Sequence, residues 1–300
     1  MTSTSEKLEK TYFKVRSRNG FDISCVYHPC TSQENEIKNG TIILCHGLLS
    51  GKEHPLISGI AEGLKNYFSV CQLDFRGNGN SGGDTAYGNY YDEAEDVRDV
   101  VVHLETIGKN VTTILGHSKA GSVVLLYAVK YNIPQVINVS GRFDLSTMPS
   151  NRFTPAQNKL LKENGEFIWM LYGKHGKKIQ TPDGIISEEI KNNNDLLDND
   201  GEALREYVVR QIDIERRYAI DMNVIKQINP ENTRILTIHG DADTIVPVEN
   251  GYLHDKTLSE IKNKEGQAIH TLQILPGVSH GYRSKEEQEK LLSTVLNWIN

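Results

Sequence analysis

The chain has 300 residues, of which 38% are hydrophobic and 24% are charged, so it has the composition of a folded globular protein rather than of a disordered or collagen-like chain. Its 33 Lys and Arg residues against 39 Asp and Glu residues give a formal net charge of −6, and without a long basic stripe this balance argues against nucleic acid as the main partner. The longest apolar run, residues 123–129, is far shorter than the about 20 residues that a membrane-spanning helix needs, so we expect no transmembrane segment.

The amino-terminal quarter of the chain indicates the compartment. Residues 1–10 contain no apolar stretch of the kind found in secretory signals, so we expect a cytoplasmic protein. All four cysteines fall between Cys25 and Cys71 without a CxxC pair. In a reducing compartment this pattern is typical of free thiols or small core residues rather than of disulfides or a zinc site.

The chain then alternates between strand and helix patterns. Asn19-Gly20 between two β-rich runs predicts an opening hairpin over Thr11–Arg18 and Phe21–His28, followed by a polar loop over Ser32–Asn39. Apolar runs predict further strands at residues 41–45, 69–75, 111–115, 135–139, 234–238 and 271–275. Apolar residues at helical spacing predict helices near residues 55–68, 94–104, 119–131 and 291–299. Since parallel strands are usually joined by helices, we expect an α/β fold with a mostly parallel sheet and helices on both faces.

One stretch interrupts the alternation of strands and helices. Residues 146–230 show no clear buried strand, and Glu166–Tyr172 and Glu202–Ile228 are predicted to be helical. We therefore expect a helical cap after the sixth strand, which divides the core into residues 1–145 and 231–300. The apolar residues of this insertion suit either a small core of its own or a lid over a substrate pocket.

A tight turn from strand to helix is predicted at Gly116-His-Ser-Lys-Ala-Gly121. Small residues at both ends of this segment prevent side chains from colliding with the backbone, which is typical of a nucleophile elbow. In that geometry Ser118 lies at the carboxyl edge of the sheet, where the start of the following helix stabilises negative charge. The sequence therefore predicts Ser118 as the nucleophile.

A serine hydroxyl becomes a nucleophile only beside a base that is itself oriented by a carboxylate. Two late strands are followed by such groups, Asp243 after the first and His280 after the second, in the chain order expected for this architecture. Asp241 in the same loop and Asp144 after the sixth strand are alternative acids. His280 is favoured as the base because it alone combines a late strand, a glycine-containing turn and the terminal helix.

The oxyanion that forms during acyl transfer needs two hydrogen-bond donors, and the sequence predicts the backbone N–H groups of Leu48 and Lys119. Gly47 allows the first of these to approach the substrate, and donors of this kind contribute about 3–4 kcal/mol each to the transition state. His46 and His117 are interpreted as pocket-lining or hydrogen-bonded structural residues.

Five segments, taken in order, resemble the α/β-hydrolase superfamily. The motifs are His46-Gly47, Asp74-Phe-Arg-Gly-Asn-Gly-Asn-Ser81, Gly116-His-Ser-Lys-Ala-Gly121, His239-Gly-Asp-Ala-Asp243 with Val246-Pro247, and Gly277-Val-Ser-His280. They are most similar to the branch that contains serine aminopeptidase-like hydrolases, monoacylglycerol lipases and feruloyl or cinnamoyl esterases. The resemblance implies Ser118 as nucleophile, Asp243 as acid and His280 as base. Two positions depart from the usual pattern: Ala120 replaces the second glycine of the elbow, and Lys119 stands where Met, Gln or Leu is commoner.

Two features of the sequence, Lys119 and the glycines at Gly77–Gly82, allow more than one interpretation. The Lys119 side chain either faces the pocket, which favours an acidic or polar substrate group, or faces solvent or pairs with an acid. Gly77–Gly82 matches a dinucleotide-binding glycine pattern, but residues 83–89 continue as a loop rather than opening a helix, so we expect no pyrophosphate site. Since no metal-ligand pattern is present either, no cofactor or metal is expected.

The sequence as a whole predicts a cytoplasmic serine hydrolase that cleaves a small-molecule carboxylic ester through an acyl-enzyme. Thioester or amide hydrolysis on the same residues is the alternative, because the same oxyanion donors serve all three carbonyl groups. A small-molecule binding protein built on this fold is the non-catalytic alternative. The sequence leaves the acyl and alcohol parts of the substrate, and the oligomeric state, open.

Overall fold

The computed structural model describes residues 9–174, 176–192 and 196–299. The strands in these ranges are β1 Thr11–Arg16, β2 Asp22–His28, β3 Thr41–Cys45, β4 Ser69–Leu73, β5 Val111–His117, β6 Gln135–Val139, β7 Glu166–Tyr172, β8 Lys178–Gln180, β9 Arg205–Arg210, β10 Arg234–Gly240 and β11 His270–Leu275. The α-helices are α1 Gln33–Asn39, α2 Pro55–Leu64, α3 Tyr90–Thr106, α4 Lys119–Lys130, α5 Pro155–Asn164, α6 Glu188–Asn192, α7 Gln211–Tyr218, α8 Glu249–Leu258 and α9 Lys285–Ile299. Across the described ranges, no helix combines the length and the apolar content needed to cross a bilayer.

Eight strands form the central sheet in the order β1-β2-β4-β3-β5-β6-β10-β11. The hairpin partners β1 and β2 are antiparallel, as are β2 and β4, and every pair from β4 to β11 is parallel. Parallel strands present their carboxyl ends at one edge of the sheet. The predicted mostly parallel α/β sheet is therefore confirmed, and the loops after β5, β10 and β11 meet at that edge.

Strand β3 shows why the sheet is covered on both faces. All five of its residues are buried, and successive side chains of a strand point to opposite faces. Ile42 and Leu44 pack into the core that includes α2 and α9, whereas Ile43 and Cys45 pack into the core that includes α3 and α4. A run without alternating polar residues is stable only between two helical layers, which is what this strand has.

The segment predicted as a polar loop at Ser32–Asn39 forms helix α1 instead. The Ser32 side chain accepts a hydrogen bond from the backbone N–H of Asn35 at 3.3 Å, and Gly40 ends the helix with a φ of 72°. None of the residues of α1 is buried, so the helix has no apolar stripe to reveal it. Its signal lies in the capping residues, which the prediction did not use.

The prediction of a purely helical insertion is wrong. Glu166–Tyr172 is the central strand of a second, antiparallel sheet with the order β8-β7-β9, and only the later part of Glu202–Ile228 is helical, in α7 and a 3-10 helix at Met222–Gln227. The continuous apolar run of six residues at 167–172 has no periodicity that distinguishes a strand from a helix. What decides it here is pairing with β8 and β9, which sequence spacing does not show.

The insertion packs on the main body through a third apolar cluster. Phe153, Phe167 and Tyr207 of the insertion pack together with Leu49 and Tyr87, which belong to loops of the main body. The insertion therefore lies against the loops at the carboxyl edge of the central sheet.

Candidate active site

Ser118 occupies the turn between β5 and α4 in a strained backbone conformation. Its φ of 59° and ψ of −120° are unusual for a residue with a side chain, and such geometry is typical of functional turns. A Cβ on Gly116 would lie 2.1 Å from the backbone oxygen of Ala120, and one on Gly121 would lie 2.3 Å from Oδ1 of Asn138. These distances explain why the turn needs glycine at both positions, while the methyl group of Ala120 is accommodated.

Three predicted side chains meet at this turn. Oγ of Ser118 lies 2.9 Å from Nε2 of His280, and Nδ1 of His280 lies 2.7 Å from Oδ2 of Asp243. A carboxylate on Nδ1 accepts the Nδ1–H of the ring, which leaves the lone pair of Nε2 to accept the serine proton. The residues come from the ends of β5, β10 and β11, and the structure brings them together in the order serine, imidazole, carboxylate.

The Asp243 carboxylate is held in its ionised form. Burial by itself raises the pKa of this group, but the neighbouring imidazoles of His239 and His280 and the backbone N–H of Val246 outweigh burial and hold the pKa well below its ordinary value. The other oxygen, Oδ1, accepts from the backbone N–H groups of Ile245 at 2.9 Å and Val246 at 2.8 Å. An ionised, fixed carboxylate can stabilise a cationic His280.

The two alternative acids are occupied elsewhere. Oδ1 of Asp241 accepts from the backbone N–H of Gly277 at 2.7 Å. Asp144 accepts from Ser146, through both its N–H and its hydroxyl, and from the hydroxyl of Thr147. In the described part of the chain neither carboxylate hydrogen-bonds to His280, so the structure selects Asp243.

His239 begins the motif His239-Gly-Asp-Ala-Asp243, and the structure places its side chain beside the acid, a contact that the sequence did not predict. Its Nε2–H donates to the carbonyl of Val246 at 2.7 Å, and the same nitrogen lies 3.5 Å from Oδ2 of Asp243. Val246 also donates its N–H to Asp243, so His239 fastens the turn that carries the carboxylate. The available signal was its position at the end of β10, four residues before the acid.

His46 and His117 have structural contacts, as interpreted from the sequence. Nδ1 of His46 donates to the carbonyl of Gly47 at 2.7 Å, while its Nε2 accepts from the backbone N–H of Phe75 at 3.0 Å. Burial lowers the pKa of His46 to about 4 and that of His117 to about 3, so both rings are neutral near pH 7. The Nε2–H of His117 donates to the carbonyl of His280 at 2.8 Å and thereby anchors the backbone of the predicted base.

The predicted oxyanion donors come from two segments next to Ser118. Leu48 belongs to the loop after β3, and Lys119 is the first residue of α4. A Cβ on Gly47 would lie only 3.1 Å from Cβ of Ser118, so the loop that carries the Leu48 N–H runs directly against the elbow. Lys119 begins α4, and first-turn N–H groups have no acceptor within their own helix. Both groups therefore belong to segments next to Ser118, and their role as oxyanion donors stays a prediction.

The Lys119 side chain pairs with an acid, which was one of the two alternatives. Its Nζ donates to Glu93 at 2.6 Å, to Oδ1 of Asn89 at 2.7 Å and to the carbonyl of Ala86 at 3.2 Å. Both members of the ion pair are buried between α3 and α4. The charge of Lys119 is thus compensated locally and is not offered to a ligand.

A cavity of about 870 Å³ opens beside Ser118 and His280. The main body contributes Leu48, and the insertion contributes Met148 and Trp169. The cavity is large enough for a small organic molecule, and its walls combine apolar surface with polar groups.

Comparison with known proteins identifies a family and a related protein of known type. The family model described as Serine aminopeptidase, S33, matches residues 36–287. A monoacylglycerol lipase of Mycolicibacterium smegmatis is 26% identical over 275 residues, which cover 87% of this chain and 88% of the lipase.

Two solved structures share the architecture. The first is Est1E from Butyrivibrio proteoclasticus with bound ferulic acid, at a TM-score of 0.63 and 18% identity, covering 96% of this chain and 97% of that chain. The second is the alpha/beta hydrolase GrgF from Penicillium sp. sh18, at a TM-score of 0.69 and 16% identity, covering 97% of this chain and 98% of that chain. At these identities the likeness concerns the fold alone, and it confirms the predicted α/β-hydrolase fold.

Proposed function

The chain belongs to the serine aminopeptidase (S33) family of α/β-hydrolases, and from this premise we propose that it hydrolyses carboxylic esters through a covalent acyl-enzyme. The observation that carries the proposal is the hydrogen-bonded series from Oγ of Ser118 through His280 to Asp243, with distances of 2.9 and 2.7 Å. Hydrogen bonds of this length allow a proton to leave the serine as the nucleophile attacks.

In the first half of the reaction, Oγ of Ser118 attacks the ester carbonyl carbon while Nε2 of His280 takes the hydroxyl proton. The carbonyl π electrons move to oxygen, and the backbone N–H groups of Leu48 and Lys119 stabilise the oxyanion. The ionised Asp243 stabilises the imidazolium. When the tetrahedral intermediate collapses, the C–O bond to the alcohol breaks and His280 protonates the leaving oxygen, which leaves Ser118 acylated.

In the second half, His280 removes a proton from a water molecule that attacks the acyl carbon. The same two N–H groups stabilise the second oxyanion, and the C–O bond to Ser118 breaks as His280 returns the proton to Oγ. The products are a carboxylic acid and the original enzyme. Only groups of this chain and water take part in these steps.

Three considerations favour ester hydrolysis as the reaction. An alkoxide is a better leaving group than an amine, so the same residues cleave an ester over a lower barrier than the corresponding amide. The name of the 26% identical relative, a monoacylglycerol lipase, describes an ester hydrolase as well. Mixed apolar and polar walls in a cavity of about 870 Å³ suit an ester of small to medium size.

Residues 146–230 serve, in this proposal, as a cap between core segments 1–145 and 231–300. Met148 and Trp169 line the same cavity as Ser118, and Phe153 packs against Tyr87 of the main body. A cap in this position shields the acyl-enzyme from bulk water and shapes the acyl or alcohol pocket.

The test is covalent labelling with a fluorophosphonate, followed by mass-spectrometric mapping of the adduct. We expect modification of Ser118, no labelling of Ser118→Ala, and full labelling of Ser50→Ala, because Ser50 lines the cavity outside the relay. An adduct at another residue, or no adduct on folded protein, contradicts the proposal. Hydrolysis of matched oxygen esters, thioesters and anilides then identifies the preferred carbonyl.

A further inference from the structure

The cavity beside Ser118 has a one-sided charge distribution. Six Lys or Arg residues line it, and among the described residues no Asp or Glu does: the cations are Lys119, Arg142, Arg152, Lys178, Arg217 and Arg283. The chain as a whole carries a net charge of −6, so this distribution opposes the overall balance. Positive charge confined to a cleft attracts and binds anionic groups.

Lys119 is the exception within this set, because its ammonium is already paired with Glu93. For the remaining five cations, the described part of the chain supplies no carboxylate within ion-pair distance. Two of them, Lys178 and Arg283, have exposed side chains, so solvent compensates much of their charge, although burial of the Lys178 ammonium lowers its pKa. The arginines at positions 142, 152 and 217 are more enclosed and are the ones that need a partner.

These three residues, Arg142, Arg152 and Arg217, form what we call the arginine cluster. The guanidinium carbons of Arg152 and Arg217 lie 5.7 and 6.0 Å from the centre of the same Tyr87 ring. All three guanidinium groups line the same cavity, where burial lowers the pKa of Arg142 and the positive charges of Arg217 and Arg152 lower it further. Like charges held together out of water are costly unless an anion balances them.

The arginine cluster is held in place by neutral groups. Nη2 of Arg142 donates to the carbonyl of Ile245 at 2.7 Å, and Nε of Arg152 donates to the hydroxyl of Tyr87 at 3.0 Å. The guanidinium of Arg152 also stacks 4.5 Å from the centre of the Trp169 ring.

Arg217 is only 4% exposed, and its Nη1 donates to the backbone carbonyls of Leu145 at 2.5 Å and Thr147 at 2.9 Å. A guanidinium has five N–H donors, so each member of the arginine cluster keeps donors beyond those used by these contacts. The charge of Arg217 helps to lower the pKa of Asp144, but these two groups form no ion pair within the described residues. The contacts therefore orient the side chains without pairing them with an anion, which is the arrangement of a preorganised anion site.

We infer that the arginine cluster is an anion subsite, and that the ester substrates of this enzyme carry a carboxylate or phosphate group besides the scissile ester. The inference rests on the proposed ester hydrolysis at Ser118. Arg142 follows β6 of the main body, whereas Arg152 and Arg217 belong to the insertion, so the subsite is complete only when the two parts pack together. An anionic group bound there would fix the distance and direction of the ester relative to the nucleophile.

The test compares kcat/KM for charged and neutral members of matched ester pairs. One pair carries the charge on the acyl side, 4-nitrophenyl hemisuccinate against 4-nitrophenyl methyl succinate, and the other carries it on the alcohol side, 3-acetoxybenzoate against its methyl ester. Phosphoryl analogues of the preferred member separate phosphate from carboxylate recognition. We expect the charged member of at least one pair to be preferred by about tenfold or more, the value of one charge-assisted hydrogen bond or two.

The variant Arg152→Gln is expected to reduce that ratio by about tenfold, with Arg152→Lys between the two because it retains the charge and loses the planar fork. The matched control is Arg234→Gln, since Arg234 also stacks on a tryptophan, at 4.9 Å from the Trp298 ring, on a distant part of the surface. It should leave the ratio unchanged. Equal kcat/KM for both members of both pairs, or a ratio that Arg152→Gln does not alter, overturns the inference.

Failure of the ester hydrolysis itself is distinguishable from failure of the subsite. If folded protein cleaves none of the esters, calorimetry with monoethyl succinate, diethyl succinate and inorganic phosphate decides the matter. Saturable binding of an anion that is lost in Arg152→Gln, with no binding of the diester, supports the subsite without hydrolysis. Absence of anion binding to the unmodified protein refutes it.

Discussion

Replacing Asp243 with Asn retains the shape of the side chain, and the surrounding backbone decides which way the new amide points. Oδ1 of Asp243 accepts from the N–H groups of Ile245 and Val246, at 2.9 and 2.8 Å. An NH2 group facing those two donors has no acceptor, so the amide oxygen takes that position. The NH2 group then faces Nδ1 of His280, which lies 2.7 Å from Oδ2 in the unmodified protein.

This orientation makes the amide a donor to Nδ1 and moves the ring proton of His280 to Nε2. A protonated Nε2 cannot accept the hydroxyl proton of Ser118, so the base is held in the wrong tautomer. The same change in the triad of a serine protease lowers kcat by about 10⁴-fold. At about 1.4 kcal/mol per factor of ten, this corresponds to about 5 kcal/mol of activation free energy.

The assay is release of 4-nitrophenolate from 4-nitrophenyl acetate at saturating substrate, with circular dichroism to verify folding. The two alternative acids supply matched controls. Asp241→Asn and Asp144→Asn change a carboxylate near the same sheet edge, but neither carboxylate hydrogen-bonds to His280 within the described residues, so both variants should turn over close to the unmodified rate. An Asp243→Asn variant whose kcat stays within about tenfold of the unmodified enzyme refutes the tautomer argument.

Three further predictions concern residues around the active site that stabilise the fold or shape the elbow. Lys119→Met leaves Glu93 buried without its cation, so we expect the free energy of unfolding, measured with urea, to fall by about 3–5 kcal/mol. Hydrogen bonds, first among them one from the Ser284 N–H, lower the pKa of Glu287 to about 2, so its contribution to stability is complete above its unfolded pKa of about 4.3 and is lost as the pH falls towards 2. Glu287→Gln should therefore flatten the decrease in Tm between about pH 5 and about pH 3. Gly116→Ala places a Cβ 2.1 Å from a backbone oxygen of the elbow, and we expect it to abolish fluorophosphonate labelling of the nucleophile.

Each of these predictions has a control and a contradicting result. Adding Glu93→Gln to Lys119→Met should restore part of the lost stability, and equal stability of the single and double variants argues against a buried charge as the cause. Glu286→Gln changes an exposed carboxylate on the same helix and should keep the acid dependence of Tm. Gly59→Ala meets only the flexible end of Gln288, at 3.0 Å, and should retain labelling; loss of labelling there would point to general glycine sensitivity.

The main features of the fold could be predicted because short sequence patterns indicate them. Buried parallel strands read as short apolar runs, and surface helices as apolar residues at helical spacing. The elbow at Gly116–Gly121 combines both patterns with small residues that the turn requires, which is why Ser118 could be selected from a single segment. Asp243 and His280 followed from their places after late strands, since parallel strands end at a common edge.

The second sheet could not be predicted in the same way. Glu166–Tyr172 is apolar almost throughout, and a run of that length is compatible with a strand or a helix. The segment is a strand because it pairs with β8 and β9. In the sequence, β8 and α6 lie between β7 and β9, so this pairing is not visible in the segment itself. Helix α1 was not predicted for the opposite reason. An exposed polar helix has no apolar stripe, and only its capping residues identify it.

The amino-acid sequence by itself determined the strands and helices of the main body other than α1, and which side chains reach the carboxyl edge of the sheet, because those outcomes depend on spacing over a few residues. Only the tertiary structure decided which partners these side chains meet. It chose Asp243 over Asp241 as the carboxylate on His280, and it assembled the arginine cluster from the main body and the insertion. Such choices depend on distances of a few ångströms between residues far apart in the chain, and packing of the whole molecule sets those distances.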